Sequence, residues 1–230
     1  MKDIDTLKKQ AAEYAVNKFV NSDMVIGLGT GSTAIYALSR ISEKLKSGEI
    51  TNLKGIPSSN QIESEAKRLG IPIITFNEDT KIDVTIDGAD EVDPDLNLIK
   101  GGGGALLREK IVAQASKREI IVVDGSKLSN QLGTKWPVPV EIIPFGWETH
   151  NGFFKSIGAK PALRLLDSST PFITDEGNYI IDLHLGGIDD LSSFAGELKS
   201  RAGIVEHGFF INLATDLIVA SEEGIKHRPK

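Results

Sequence analysis

The sequence predicts an α/β protein: a doubly wound, mostly parallel sheet domain followed by a second, smaller α+β domain of ferredoxin-like type. Three observations carry that expectation. Short apolar runs alternate with amphipathic stretches over the first 130 residues. The apolar runs break at glycines or polar clusters, as buried parallel strands do. After Pro137 and Pro139 the order changes to β-α-β-β-α-β, the split arrangement of a ferredoxin-like unit.

Taken in order, Ile4, Leu7, Ala11, Tyr14, Ala15 and Phe19 fall at helical spacing over residues 4–19. Met24-Val25-Ile26-Gly27-Leu28-Gly29 is a short apolar strand. Residues 32–45 carry Ala34, Ile35, Leu38, Ile41 and Leu45 on one helical side. Strands are expected near 53–57 and 71–76, with a helix over 59–69 between them. Residues 82–87 show the period-two pattern of a strand, and a polar loop then leads to four consecutive glycines. A helix over 105–116 and a buried strand at 120–123 complete the first half.

Beyond the prolines, strands are expected at 138–143, 162–166, 179–185 and 204–210, with helices over 147–157 and 191–201. Leu217-Ile218-Val219-Ala220 could return to the first sheet. The resulting division is a Rossmann-like domain of residues 1–130 plus 208–230, and a ferredoxin-like domain of residues 131–207. Right-handed crossovers place ligands at the carboxyl ends of parallel strands, where the polar, glycine-rich clusters of the first half fall.

Composition narrows the function classes. No cysteine occurs among the 230 residues, which excludes disulfides, cysteine-ligated zinc, iron–sulfur clusters and thiol nucleophiles. No apolar run approaches the roughly 18 residues of a membrane span. The Met1-Lys2-Asp3-Ile4-Asp5 start lacks the basic, then apolar, layout of a signal peptide, so a soluble, cytoplasmic protein is expected. A net charge of −6 with mixed signs argues against nucleic acid as a partner. An anionic substrate would need local devices: backbone amides, helix N-termini and a few lysines.

Four segments could carry chemistry. Gly27-Leu28-Gly29-Thr30-Gly31-Ser32-Thr33-Ala34 joins a strand to a helix, where unpaired amides suit a phosphate; a tight turn with a Ser32 or Thr33 cap is the alternative. Its match to a dinucleotide fingerprint is weak, since the second strand closes on Gly55-Ile56-Pro57-Ser58-Ser59-Asn60 without an acidic residue. No lysine precedes Ser32, so a P-loop is excluded. Asp87-Gly88-Ala89-Asp90-Glu91-Val92-Asp93 leaves three readings open: a solvated acidic turn, an oxygen-ligand cation site, or catalysis.

The third segment is Lys100-Gly101-Gly102-Gly103-Gly104, followed by Arg108-Glu109-Lys110. Four glycines cost much conformational entropy, which suits a backbone that must touch a ligand. Glu109 should fall near the second turn of the next helix, where it could face the loop; a surface role is the plain alternative. In the fourth, Asp124-Gly125-Ser126-Lys127, Lys127 offers a point charge for a phosphate. His150, His184, His207 and His227 show no metal-ligand spacing.

Together the four segments closely resemble the ribose-5-phosphate isomerases of the A type. Pro137-Val138-Pro139-Val140-Glu141, Thr174-Asp175-Glu176-Gly177-Asn178 and Gly203-Ile204-Val205 extend the resemblance over nearly the whole chain. It implies reversible conversion of D-ribose 5-phosphate and D-ribulose 5-phosphate through an enediolate, in the non-oxidative pentose phosphate pathway, without metal or other cofactor. It also implies a homodimer or tetramer of two-domain subunits, with the smaller domain serving assembly. By motif, Glu109 is implied as the proton acceptor, with Lys100 and Asp87 as further catalytic groups. Thr30, Gly31, Ser32, Thr33, Asp87, Gly88, Ala89, Asp90, Lys100, Gly101, Gly102, Gly103 and Lys127 are implied as the substrate site. The rivals are other enzymes on a related α/β scaffold, such as amino-sugar phosphate deaminases and coenzyme A transferases, and a sugar-phosphate-sensing regulatory domain.

Overall fold

The computed structural model describes residues 4–230, so the first three residues of the start discussed above lie outside the described residues. The chain divides into two compact units. The first comprises Met1–Ala89, Arg108–Lys127 and Asn212–Lys230, and the second comprises Asp90–Leu107 and Leu128–Ile211.

In the first unit, α1 (Ile4–Phe19) leads to β1 (Val25–Leu28), α2 (Ser32–Lys46), β2 (Lys54–Pro57), α3 (Asn60–Leu69) and β3 (Val84–Asp87). Ser59 caps α3 by accepting from the Ile62 amide, and Gly70 closes it in the left-handed conformation. In the second unit, β4 (Glu91–Val92) and β5 (Leu98–Ile99) form a short hairpin. The chain then runs through α4 (Leu106–Gln114) to β6 (Glu119–Asp124) of the first unit.

The second unit resumes with β7 (Val138–Ile142), a 3₁₀ turn at Trp147–Thr149, α5 (His150–Ser156), β8 (Lys160–Leu163) and β9 (Tyr179–His184). It ends with α6 (Leu191–Lys199), β10 (Ile204–His207) and β11 (Phe209–Phe210). Strands β12 (Asp216–Ser221) and β13 (Gly224–Pro229) return to the first unit.

The first unit is built on a six-stranded sheet ordered β13-β12-β6-β3-β1-β2, parallel throughout except for the edge strand β13. Ala11, Ala15 and Val16 of α1, Leu38 and Ile41 of α2, and Ile120, Val122 and Ile218 of the sheet share one buried core. Small residues on α1 let it lie close to its neighbours; Ala11, Ala12 and Ala15 are fully enclosed. In the second unit, β10-β7-β9-β8 form an antiparallel sheet in the expected ferredoxin-like order, and β11-β5-β4 form a three-stranded one. Val138, Val140, Ile142, Ile181, Leu183 and Phe154 make its core.

Several elements differ from the sequence expectation. The strand expected at 71–76 is a single bridge between Ile73 and Gly55. Gly55 exchanges both of its backbone bonds there, donating to Pro72 and accepting from Ile74, and no ladder extends beyond it. The period-two reading of residues 82–87 fails at Val84–Asp87, because all four residues are buried. β3 sits between β1 and β6 with both faces covered, so Thr85 turns inward and pairs with Ser116 Oγ at 2.7 Å.

The polar loop after Asp87 contains the β4–β5 hairpin. Residues 90–107 group with the second unit, not with the domain expected for 1–130, because β5 pairs with β11 and the Lys100 amide donates to Gly208 O at 2.9 Å. The strand expected at 204–210 is two strands divided at Gly208. A Cβ there would collide with the Lys100 carbonyl, which the backbone approaches too closely for any side chain.

Candidate active site

In the first unit, β1, β3 and β6 are neighbours running in one direction. Their carboxyl ends therefore carry Gly29-Thr30, Asp87 and Asp124 side by side, at the edge where open α/β sheets bind ligands. The Asp87 carboxylate is almost wholly buried, with 1% exposure, and its Oδ1 accepts from the Thr30 amide at 3.1 Å and the Gly88 amide at 2.7 Å. Gly29 is required beside it: an added Cβ would overlap the Asp87 carboxyl group. The Thr30 hydroxyl lies 2.8 Å from Ser58 Oγ and 3.0 Å from Ser59 Oγ, so the end of β2 ties down the first glycine loop. Neither serine belongs to a glycine motif, so no sequence pattern marks them as part of the site.

Gly31 is the N-cap of α2, with φ 109°, and no side chain caps this helix. The capping role considered for Ser32 and Thr33 is thus taken by a backbone position. Ser32 is exposed and Thr33 half-buried in the first turn, among amides that an anion could use. Gly88 and Ala89 follow Asp87 in half-buried positions.

Glu109 lies in the first turn of α4, one turn earlier than the spacing suggested, and is 4% exposed. Lys110 beside it is buried as well, while Arg108 donates to Asn60 Oδ1 at 2.8 Å. Lys127 ends a 3₁₀ turn after β6 and is half-buried. Burial alone would raise the Asp124 carboxyl. Hydrogen bonds from the Ser126 side chain and amide, then the charges of Lys127 and Lys8, hold it below the ordinary aspartate value.

In the second unit, Asp90 Oδ2 accepts from the Gly102 amide at 2.7 Å, and a Cβ on Gly102 would lie 2.6 Å from Asp90 Oδ1. Gly101 adopts φ 101° and Gly104 φ 83°, and the Gly104 amide closes a turn onto Gly101 O at 2.9 Å. Gly102 and Gly103 are exposed. Lys100 is 2% exposed, its ammonium 5.5 Å from the centre of the Phe210 ring.

The acidic cluster is divided among separate tasks. Glu91 is fully buried and accepts from the Gly133, Lys135 and Trp136 amides and the Thr134 hydroxyl at 3.0–3.3 Å. Asp93 closes its own turn by accepting from the Asp95 and Asn97 amides. Among the described residues no three histidines or carboxylates gather as a metal site would require.

Comparison with known proteins gives the family. The family model for ribose 5-phosphate isomerase A (phosphoriboisomerase A) matches residues 54–224. The chain belongs to this family. A ribose-5-phosphate isomerase A of Desulfatibacillum aliphaticivorans is 52% identical over 222 residues, covering 96% of this chain and 96% of its own. A probable ribose-5-phosphate isomerase 2 of Arabidopsis thaliana is 45% identical, covering 98% of this chain and 87% of its own. Ribose 5-phosphate isomerase from Plasmodium falciparum superposes with a TM-score of 0.95 at 43% identity, over 98% of this chain and 99% of its own. A D-ribose-5-phosphate isomerase in complex with phospho-erythronic acid gives 0.96 at 43% identity, over the whole of both chains. No described helix is long and apolar enough to cross a membrane.

Proposed function

We propose that this chain interconverts D-ribose 5-phosphate and D-ribulose 5-phosphate through an enediolate, as a step of the non-oxidative pentose phosphate pathway. The reaction removes a proton from C2 of the aldose and returns it to C1 of the ketose, while the hydroxyl proton moves between oxygens. One carboxylate over one face of the planar intermediate can serve both carbon transfers.

Glu109 takes that role, and its burial is the observation that carries the proposal. An ionised carboxylate taken out of water costs several kcal/mol unless its surroundings use it. A merely solvated residue on α4 would be exposed; Glu109 is 4% exposed. Lys100 and the amides of the Gly101–Gly103 loop stabilise the developing oxyanion. Asp87 opens the sugar ring or carries the hydroxyl proton. Thr30, Gly31, Ser32, Thr33 and Lys127 hold the phosphate, whose remote binding energy orients the reacting carbons. Gly88, Ala89 and Asp90 line the substrate.

The test is an assay of ribulose 5-phosphate formation. Glu109→Gln should lower kcat by about 10³-fold, the range of general-base loss, while phospho-erythronate still binds. Near-normal turnover would reject the assignment. Lys127→Ala should raise KM with little change in kcat, and an unchanged KM would remove Lys127 from the phosphate site. Activity should survive exhaustive chelation; loss restored by magnesium would return the acidic cluster to a metal role.

The proposal includes a homodimer, with a tetramer as the alternative, assembled through the second unit. Phe145, Leu166 and Ile173 of that unit are 90, 66 and 59% exposed, apolar side chains that a subunit contact would cover. Light scattering at assay concentration decides between the states, and a monomer would refute both. A cytoplasmic location is part of the same proposal, and fractionation of the producing cell tests it.

A further inference from the structure

We infer that Arg164, held by Asp182, is a positioning residue that fixes the glycine loop so that the Gly103 amide becomes a rigid donor to the enediolate oxygen. The inference deepens the proposed function and rests on its assignment of residues 100–103 to the substrate site.

Arg164 follows β8 directly, and Asp182 on β9 is the register partner of Ala162, two residues earlier on the same face. The guanidinium forks onto the Asp182 carboxylate, with Nε 2.9 Å from Oδ2 and a terminal nitrogen 2.5 Å from Oδ1. Its other terminal nitrogen donates to Gly101 O at 2.7 Å and Gly102 O at 3.1 Å. The Phe172 ring lies 5.9 Å from the guanidinium carbon and also occupies the place a Cβ on Gly104 would take. All three guanidinium nitrogens are committed, so the group acts as a planar jig, a role for which arginine is suited and lysine is not.

The loop requires such a jig. Glycine offers the backbone the widest choice of conformations, and Gly102 and Gly103 are exposed. In a trans peptide the carbonyl and the following N–H point in opposite directions. Drawing Gly101 O onto Arg164 therefore turns the Gly102 N–H the other way, where Asp90 accepts it at 2.7 Å. Drawing Gly102 O onto Arg164 turns the Gly103 N–H away from the guanidinium in the same manner. The cation also polarises both peptides, which strengthens their N–H groups as donors. Asp182 neutralises the charge, so the effect is local orientation and not a field that would bind any anion.

The test compares Arg164→Met, Arg164→Lys and Asp182→Asn in kcat, KM and inhibition by phospho-erythronate. That compound carries a fixed carboxylate charge where the intermediate develops one. Arg164→Met should lose about 30- to 100-fold in kcat, with KM within about threefold and the inhibition constant rising in parallel. Asp182→Asn should fall between Arg164→Met and the parent. Arg164→Lys should recover part of the loss, since an ammonium reaches one carbonyl but cannot span two and a carboxylate. It also keeps the charge and stem if the methionine variant fails to fold.

A folded variant with kcat within threefold of the parent would overturn the inference, as would a loss confined to KM or to thermal stability. Lys100→Met and Glu109→Gln separate the two levels. If they are inactive while Arg164→Met is active, only the positioning role fails. If they remain active, the site assignment itself fails.

Discussion

Replacing Gly29 with alanine tests how closely β1 and β3 approach at the sheet edge. The new Cβ would lie 2.6 Å from the Asp87 Cα and closer still to the carboxyl group. Ordinary contacts begin at 3.4 Å, so one strand end must move by about 1 Å. Gly29 is itself pinned by its amide bond to Ile86 O at 3.1 Å, and Asp87 by the Thr30 and Gly88 amides. Relief must break at least one of these bonds; losing one of the two to the Asp87 carboxylate costs about 2 kcal/mol, which corresponds to a fall of about 4–8 °C in Tm for a chain of this size. A displacement of about 1 Å in a reacting group also costs about 100-fold in kcat. Turnover per folded molecule and a thermal melt read the two effects separately. Stability and kcat both within twofold of the parent would refute the reasoning, since Asp87 would then tolerate displacement.

Three further outcomes follow from the structure. Gly152→Ala and Gly196→Ala lie within α5 and α6 with nothing within 4 Å of the added Cβ, so each should stabilise by about 0.5–1 kcal/mol in urea unfolding without altering kcat. Glu91→Ala strands the buried Gly133 amide and the part-buried Lys135 and Trp136 amides, and should cost about 3 kcal/mol by the same measurement. The Glu141 carboxyl is raised above the ordinary glutamate value of 4.5 by burial, against hydrogen bonds from Asn178 and Thr174, with Glu176 and Glu206 adding to the rise. The folded state therefore holds this proton more tightly, and stability falls as pH climbs from 4.5 through the raised value. Glu141→Gln keeps an acceptor for Thr174 and Asn178, so its Tm should decline less over that interval; a parallel curve would exclude Glu141 as the cause.

The βα alternation was legible because each parallel strand is a short, fully buried apolar run, visible in Ile120-Ile121-Val122-Val123 without any partner. Elements defined by their partners were not. β4 and β5 have two residues each and exist through pairing with each other and β11. β13 contains Lys226, His227 and Arg228, which carry no apolar pattern to mark a strand, and it is defined by its ladder to β12. β8 begins at Lys160 and Pro161, ahead of the apolar residues that suggested 162–166, because β9 sets its register.

The glycine loops and the acidic strand end stood out because their composition is costly without a purpose. Ser58, Ser59 and Arg164 did not, since a lone serine or arginine has no sequence context to mark it. Their importance lies in carbonyls and hydroxyls brought from 28 to 63 positions away.

The strand order of the larger sheet has a consequence for the nascent chain. β6 is buried along its whole length between β3 and β12, yet β12 is translated some ninety residues later, after the entire smaller unit. Until then its edge presents open amides and carbonyls flanked by isoleucine and valine, the pattern that templates intermolecular pairing. A ribosome stalled, or a gene cut, before residue 216 should therefore yield a sticky fragment needing a chaperone, whereas a chain complete through the charged edge strand β13 should remain dispersed.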